Sequence, residues 1–242
     1  MKTARANPKG GGGGNQRFYL MMALAIAGTV VFGFTLNASR YHFDVVGLPP
    51  LVHVHALFSM LWIVFFVAQS GLIVVGSTRL HRKLGWGGAA IATMVVATGV
   101  AVTVGCIRRG AVPPFFPPNV FLVVDTLGVT SFFGLTACAI ALRRRTEWHR
   151  RLMLCGTVLL MSPALARIIP MPLLGTWAGW AVSAAMLVYI GVAIVRDRIT
   201  IGRVHLAYWW GAGTIILTQL LTDPIAFSPP VIALTAGLTG GL

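Results

Sequence analysis

Residues 56–76 carry no charged side chain, and this uncharged stretch constrains the fold more than any other feature of the chain. At about 1.5 Å per residue, a helix of that length crosses the roughly 30 Å hydrocarbon core of a bilayer. Histidines bracket it. His53 and His55 precede it, and His81 follows inside a basic turn with Arg79, Arg82 and Lys83. A second apolar run begins directly after that turn, so the unit is a helical hairpin that enters a membrane, turns on a basic connector and returns.

The same pattern fills the rest of the chain. Apolar runs at 18–36, 51–75, 84–104, 120–142, 152–169, 177–195 and 205–221 predict seven spanning helices. Pro163 inside the fifth run predicts a kink, and four prolines in 112–119 predict a surface loop. The first run, at about nineteen residues, is longer than the roughly 7–15 of a signal peptide's apolar region, so a retained helix is expected. Asn37-Ala38-Ser39 leaves cleavage open as the alternative. The expected organisation is a Gly-rich, flexible basic cytoplasmic tail over 1–17, a bundle over 18–221, and an outer tail over 222–242. The last apolar segment, 231–242, is too short to span and reads as interfacial.

Charge placement orients the bundle. The chain is 57% hydrophobic and 10% charged, with net charge +14 and mean hydropathy +0.83. A soluble domain carries about 25% charged residues. In a soluble protein +14 would suggest nucleic acid, but no soluble basic domain exists here to bind it. Fifteen of the nineteen Lys and Arg lie in the N-terminal tail and in the connectors 76–83, 143–151 and 196–203. The other four are Arg40, Arg108, Arg109 and Arg167. Basic residues mark cytoplasmic loops, which predicts N-terminus inside, C-terminus outside, and anionic headgroups of the inner leaflet as partners. Trp86, Trp148, Trp209 and Trp210 near the inner ends, and Trp177 and Trp180 near the outer, fit interfacial belts. Cys106, Cys138 and Cys155 form no CxxC and imply no disulfide framework. Nucleotide loop, zincin, nucleophile-elbow and CxxCH motifs do not occur, so no catalytic residue is assigned.

A weak repeat runs through the hairpins. Phe65-Phe66 leads to His81, Phe132-Phe133 leads to His149, and GRVHLAY gives a fainter copy at His205. Thr78, Thr146 and Gly202 each stand three residues before their histidine, the spacing from an N-cap to N3. The inner trio His81, His149 and His205 therefore reads as a ligand set for a b-type haem or a transition metal. The competing reading is that the three cap their helices and meet headgroups; their shallow depth favours it over haem. A second set lies near the outer surface: His53 and His55, with Asp125 roughly 9 Å deep in the fourth helix and Arg167 near the outer end of the fifth. Ionisable groups at that depth face a bundle interior or a wet cavity. They read either as an Asp125–Arg167 ion pair bracing adjacent helices, or as a polar pocket in which His53 or His55 handles a proton or metal. Two residues apart on a helix, those histidines point to different sides, so at most one faces the pocket. Gln69 and Gln219 read first as interhelical hydrogen bonds, with Gln69 also a candidate for the polar pocket.

At HVHALFSMLWIVFFVAQSGLIVVGSTRLHRKLGW and ALRRRTEWHRRLML the sequence resembles a family of uncharacterised bacterial multi-spanning proteins, from His53 to about Ala207. The residues that carry the likeness are His53, His55, Trp62, Gln69, His81, Asp125 and His149. That resemblance implies a bacterial inner membrane location and no particular activity. More distantly, histidines at helix ends are similar to those of small quinone- or haem-linked membrane cytochromes of the b type. The expected fold is thus an all-α membrane protein, a seven-helix bundle. The expected function is a polar, histidine-lined site with a redox or cofactor-handling role. The alternatives are a small-molecule or ion transporter, favoured by Asp125 and Arg167, and an accessory subunit among other membrane subunits, favoured by 28 Gly that permit close packing.

Overall fold

The computed structural model describes residues 11–41 and 46–240. Every described element is a helix: α1 (Gly11–Tyr41), α2 (Pro50–Val74), α3 (Thr78–Arg108), α4 (Pro118–Ala141), α5 (Thr146–Leu159), α6 (Ser162–Ile168), α7 (Met171–Leu174), α8 (Ala178–Ile201), α9 (Leu206–Ala226) and α10 (Pro229–Thr239). Five are long and apolar enough to cross a membrane, or up to seven if each of two bent pairs is one span. The protein is an all-α, multi-pass membrane bundle.

Two breaks have a local cause. Pro163 has no amide to donate to the Leu159 carbonyl, so the fifth run stops at Leu159 and restarts at Ser162 with a bend of 45°. This is where the sequence places the kink. Pro229 and Pro230 likewise end the ladder of α9, and α10 leaves at 71°. The expected interfacial segment is thus a short helix bent sharply off the last long one.

The N-terminal expectation needs correction. Residues 1–10 of the expected tail lie outside the described residues, and 11–17 are helical, continuous with the first apolar run. Glycine is a poor helix former, but this turn is tied to α8. Arg196 donates to the Gly14 carbonyl at 3.5 Å, and its guanidinium lies 5.7 Å from the centre of the Phe18 ring.

Lipid is as apolar as leucine, so helices in a membrane associate by close packing rather than by the hydrophobic effect. Small residues make that approach here. A Cβ at Gly33 would lie 2.5 Å from the Ala164 carbonyl oxygen, so α1 touches the backbone of α6. A Cβ at Gly211 would fall on the buried Cys155 side chain, which seats α9 on α5. Outward, Val188, Val192, Val195 and Ile199 leave one face of α8 apolar and exposed, as a lipid-facing surface requires.

The connectors sort into two ends. Arg143 stacks on Trp86, Trp148 meets His205, and Arg150 reaches Tyr19, which joins the basic connectors and the start of α1 at one end. Arg40 donates to the Arg167 carbonyl, and Asn119 to that of Ala226, at the opposite end.

Candidate functional site

α2 and α4 run in the same direction, toward the basic end, and α3 and α5 return from it. Trp62 of α2 and Phe132 of α4 meet edge to face with ring centres 4.9 Å apart, which sets the two helices level. Seven residues further on, about 10 Å nearer the basic end, stand Gln69 and Ala139. Each presents its backbone carbonyl to the histidine of the returning helix. His149 Nδ1 lies 2.9 Å from the Ala139 carbonyl oxygen, and the His81 ring neighbours the carbonyl of Gln69. The two imidazoles then face each other with centres 6.2 Å apart, nearly perpendicular. Both occupy the fourth position of their helix, and their amides make the first regular bonds, to Ser77 and Arg145, at 3.0 Å each. The first two hairpins therefore place their histidines at matching positions, one residue deeper than the capping spacing suggests. Ser77 and Arg145, not Thr78 and Thr146, hold the N-cap positions, and neither makes a side-chain capping bond.

The third copy does not follow. His205 is itself the N-cap of α9, where its Nδ1 accepts from the Ala207 amide at 3.1 Å. Gly202 ends α8 in the left-handed region at φ +73°. The His205 ring packs on Trp148, and burial, followed by the charge of Arg151, holds its pKa below the usual imidazole value. The inner trio is thus a pair plus one separate cap.

Buried polar atoms without partners recur along α2, α3 and α4. Trp62 Nε1, both amide atoms of Gln69, Thr136 Oγ1 and His81 Nδ1 are enclosed without a hydrogen-bond partner. They are five of nine such side-chain atoms among the described residues. Trp62 and Thr136 are each 1% exposed and Gln69 is 8% exposed. Leaving such a group unpaired costs about 1–3 kcal/mol, and native folds keep few of them. Gln219 instead makes the expected interhelical bond, accepting from Ser183 at 3.3 Å, so that expectation fails only for Gln69.

The outer set does not assemble. His53 is exposed, with Nδ1 3.3 Å from the Pro49 carbonyl. His55 is half-buried, with Nδ1 3.0 Å from Thr98 Oγ1 on α3. The two do point apart, as their spacing requires. Asp125 and Arg167 form no ion pair. Asp125 is held by the Thr103 hydroxyl at 3.2 Å, while Arg167 turns back to the Pro163 carbonyl at 2.8 Å and covers the Phe34 ring. The long arginine finds a carbonyl and an aromatic face on its own side of the bundle, and the shorter aspartate reaches only α3. Among the described residues, no group of three or more His, Cys, Asp or Glu is placed to hold a metal ion.

One buried cluster was not anticipated. Arg151 is fully enclosed and makes a two-pronged ion pair with Asp197 at 2.9 and 2.8 Å. It also bonds Glu147 and lies over the ring of Tyr208, whose hydroxyl is 2.9 Å from that of Tyr19. The network ties α1, α5, α8 and α9 together. Arg151 counts in sequence as one more connector charge, and Asp197 hides between Arg196 and Arg198. The available signal was that this chain has only five acidic residues, so one inside a basic connector requires a reason.

No protein-family model, curated protein or solved structure matches the chain.

Proposed function

We propose that this is a redox or cofactor-handling membrane protein whose site is the His81–His149 pair. The observation that carries it is the facing of two imidazoles from corresponding positions of two hairpins, that of His149 set by the Ala139 carbonyl of the preceding helix. A carbonyl only accepts, so His149 Nδ1 bears the hydrogen and Nε2 keeps its lone pair, the arrangement that orients metal-ligating histidines. His81 offers the enclosed, unpartnered Nδ1. With ring centres 6.2 Å apart, His149 and His81 are the residues that would hold such a metal-centred group. The protein supplies two ligands, so the group must bring the rest of its own, as a b-type haem does. Such a group carries single electrons. The chain's own residues orient it, and the Gln69 amide, on the residue whose carbonyl neighbours the His81 ring, would supply hydrogen bonds beside it. His81→Ala and His149→Ala should each remove the bound group, while His205→Ala and Arg82→Gln retain it. Equal retention in all four variants would end the assignment.

The frame for that site is seven spans in a bacterial inner membrane, with the basic end cytoplasmic and the C-terminus outside. The convergence of the basic connectors on one end supports it. A reporter fused after Leu242 should be active only outside, and one inserted in 143–151 only inside.

A further inference from the structure

We propose that a cavity at the basic end, separate from the histidine pair, is a binding site for a phosphate-type anion. The cavity measures about 650 Å³, and its lining includes Asn15, Gln16, Glu147, Arg150, Arg203 and His205. Donors converge on it from three directions. Arg203 is exposed, and among the described residues it makes no hydrogen bond or ion pair. Arg150 stacks 5.2 Å from the centre of the Tyr19 ring, which fixes its guanidinium, and its Nε is enclosed without a partner. His205 accepts a backbone hydrogen at Nδ1, so its own hydrogen sits on Nε2 as a donor.

The one carboxylate in the wall does not repel an anion strongly, because Glu147 is already shared between Arg150 and Arg151. With Arg150 and Arg151 paired to Glu147 and Asp197, the charge of Arg203 is left over, which leaves a positive site. Two arginines and an imidazole N–H arriving from separate elements suit the several acceptor oxygens of a phosphate ester better than the two of a carboxylate. The level is also informative. Trp148 lies against His205, and Trp209 and Trp210 project outward within the next turn of α9. Aromatic residues of that kind mark the headgroup zone. The same chemistry fits a lipid phosphodiester or a soluble phosphate, and neither involves His81 or His149.

The test uses the full chain in detergent, with the thermal midpoint read against three probes: short-chain phosphatidylglycerol, short-chain phosphatidylcholine and inorganic phosphate. A ligand that binds the folded state raises the midpoint with concentration. Phosphatidylglycerol should stabilise the protein more than phosphatidylcholine does. Arg203→Gln should weaken the effect at least fivefold, whereas Arg82→Gln, exposed at the same end but outside the cavity, should leave it intact. Stabilisation by phosphatidylglycerol alone identifies a headgroup site, and matching stabilisation by inorganic phosphate identifies a free anion. No stabilisation by either, or equal weakening in the Arg203 and Arg82 variants, would overturn the proposal. Among the described residues Arg203 has no side-chain partner to lose, so its variant should fold.

Discussion

Two buried polar regions of this bundle lie near the same end and have opposite character. In the Arg151–Asp197 network, the guanidinium is matched by two carboxylates and an aromatic face, and the tyrosine hydroxyls serve each other. Along α2, α3 and α4, on the helices that carry His81 or face His149, five enclosed polar atoms have no hydrogen-bond partner among the described residues. A satisfied network needs nothing more and acts as a brace. An unsatisfied one is stable only if something else completes it, or if function repays the strain. That difference fits a structural role for the arginine cluster and supports the proposal of ligand binding at the histidine pair.

The largest effect should come from breaking the brace. Asp197→Asn strands a fully enclosed guanidinium, and uncoupling a buried ion pair in this way costs about 3–5 kcal/mol. Thermal unfolding in detergent should show a large fall. The double change Arg151→Met with Asp197→Leu should recover much of it, because neither charge is then left alone. A small loss for Asp197→Asn would mean that Glu147 and Tyr208 suffice to hold Arg151.

Next in size is the opposite experiment. Gln69→Leu removes two unpaired buried polar atoms, so the protein without its bound group should gain about 1–3 kcal/mol of stability, and the same variant should bind the group less well. Gain of stability with loss of binding separates a ligand site from a brace. A destabilised Gln69→Leu would place Gln69 in a structural hydrogen bond instead.

The smallest effect concerns the outer half. Thr103→Val and Asp125→Asn should show a coupling of about 1 kcal/mol, the scale of one hydrogen bond, in a double-mutant cycle of thermal stability. The Asp125/Arg167 cycle should show less, since Arg167 bonds the Pro163 carbonyl and not the carboxylate. A larger Asp125/Arg167 coupling would restore the ion-pair brace that their depth suggests.

Apolar length and charge placement are single-residue properties summed over long windows, so the helical membrane fold, the kink at Pro163 and the ends toward which the connectors gather were all legible in the sequence. The His81–His149 pairing was half legible, because two hairpins do repeat. His205 was misassigned because motif spacing does not reveal that α9 begins after it rather than before it. The Asp125–Arg167 expectation failed for a different reason. Depth along a helix fixes height but not rotation, and rotation decides that Asp125 faces Thr103. Arg151 was obscured by its basic neighbours, since burial of one arginine among several depends on where Asp197 arrives from α8.

The central claim is that the histidine pair binds a group that the saturated cluster does not. Its most direct test is the metal content and reduced-minus-oxidised absorption spectrum of the purified, folded protein. The account predicts a stoichiometric metal with a redox-dependent visible band, lost in His149→Ala and kept in His205→Ala. A folded protein with no metal and no visible band would contradict it.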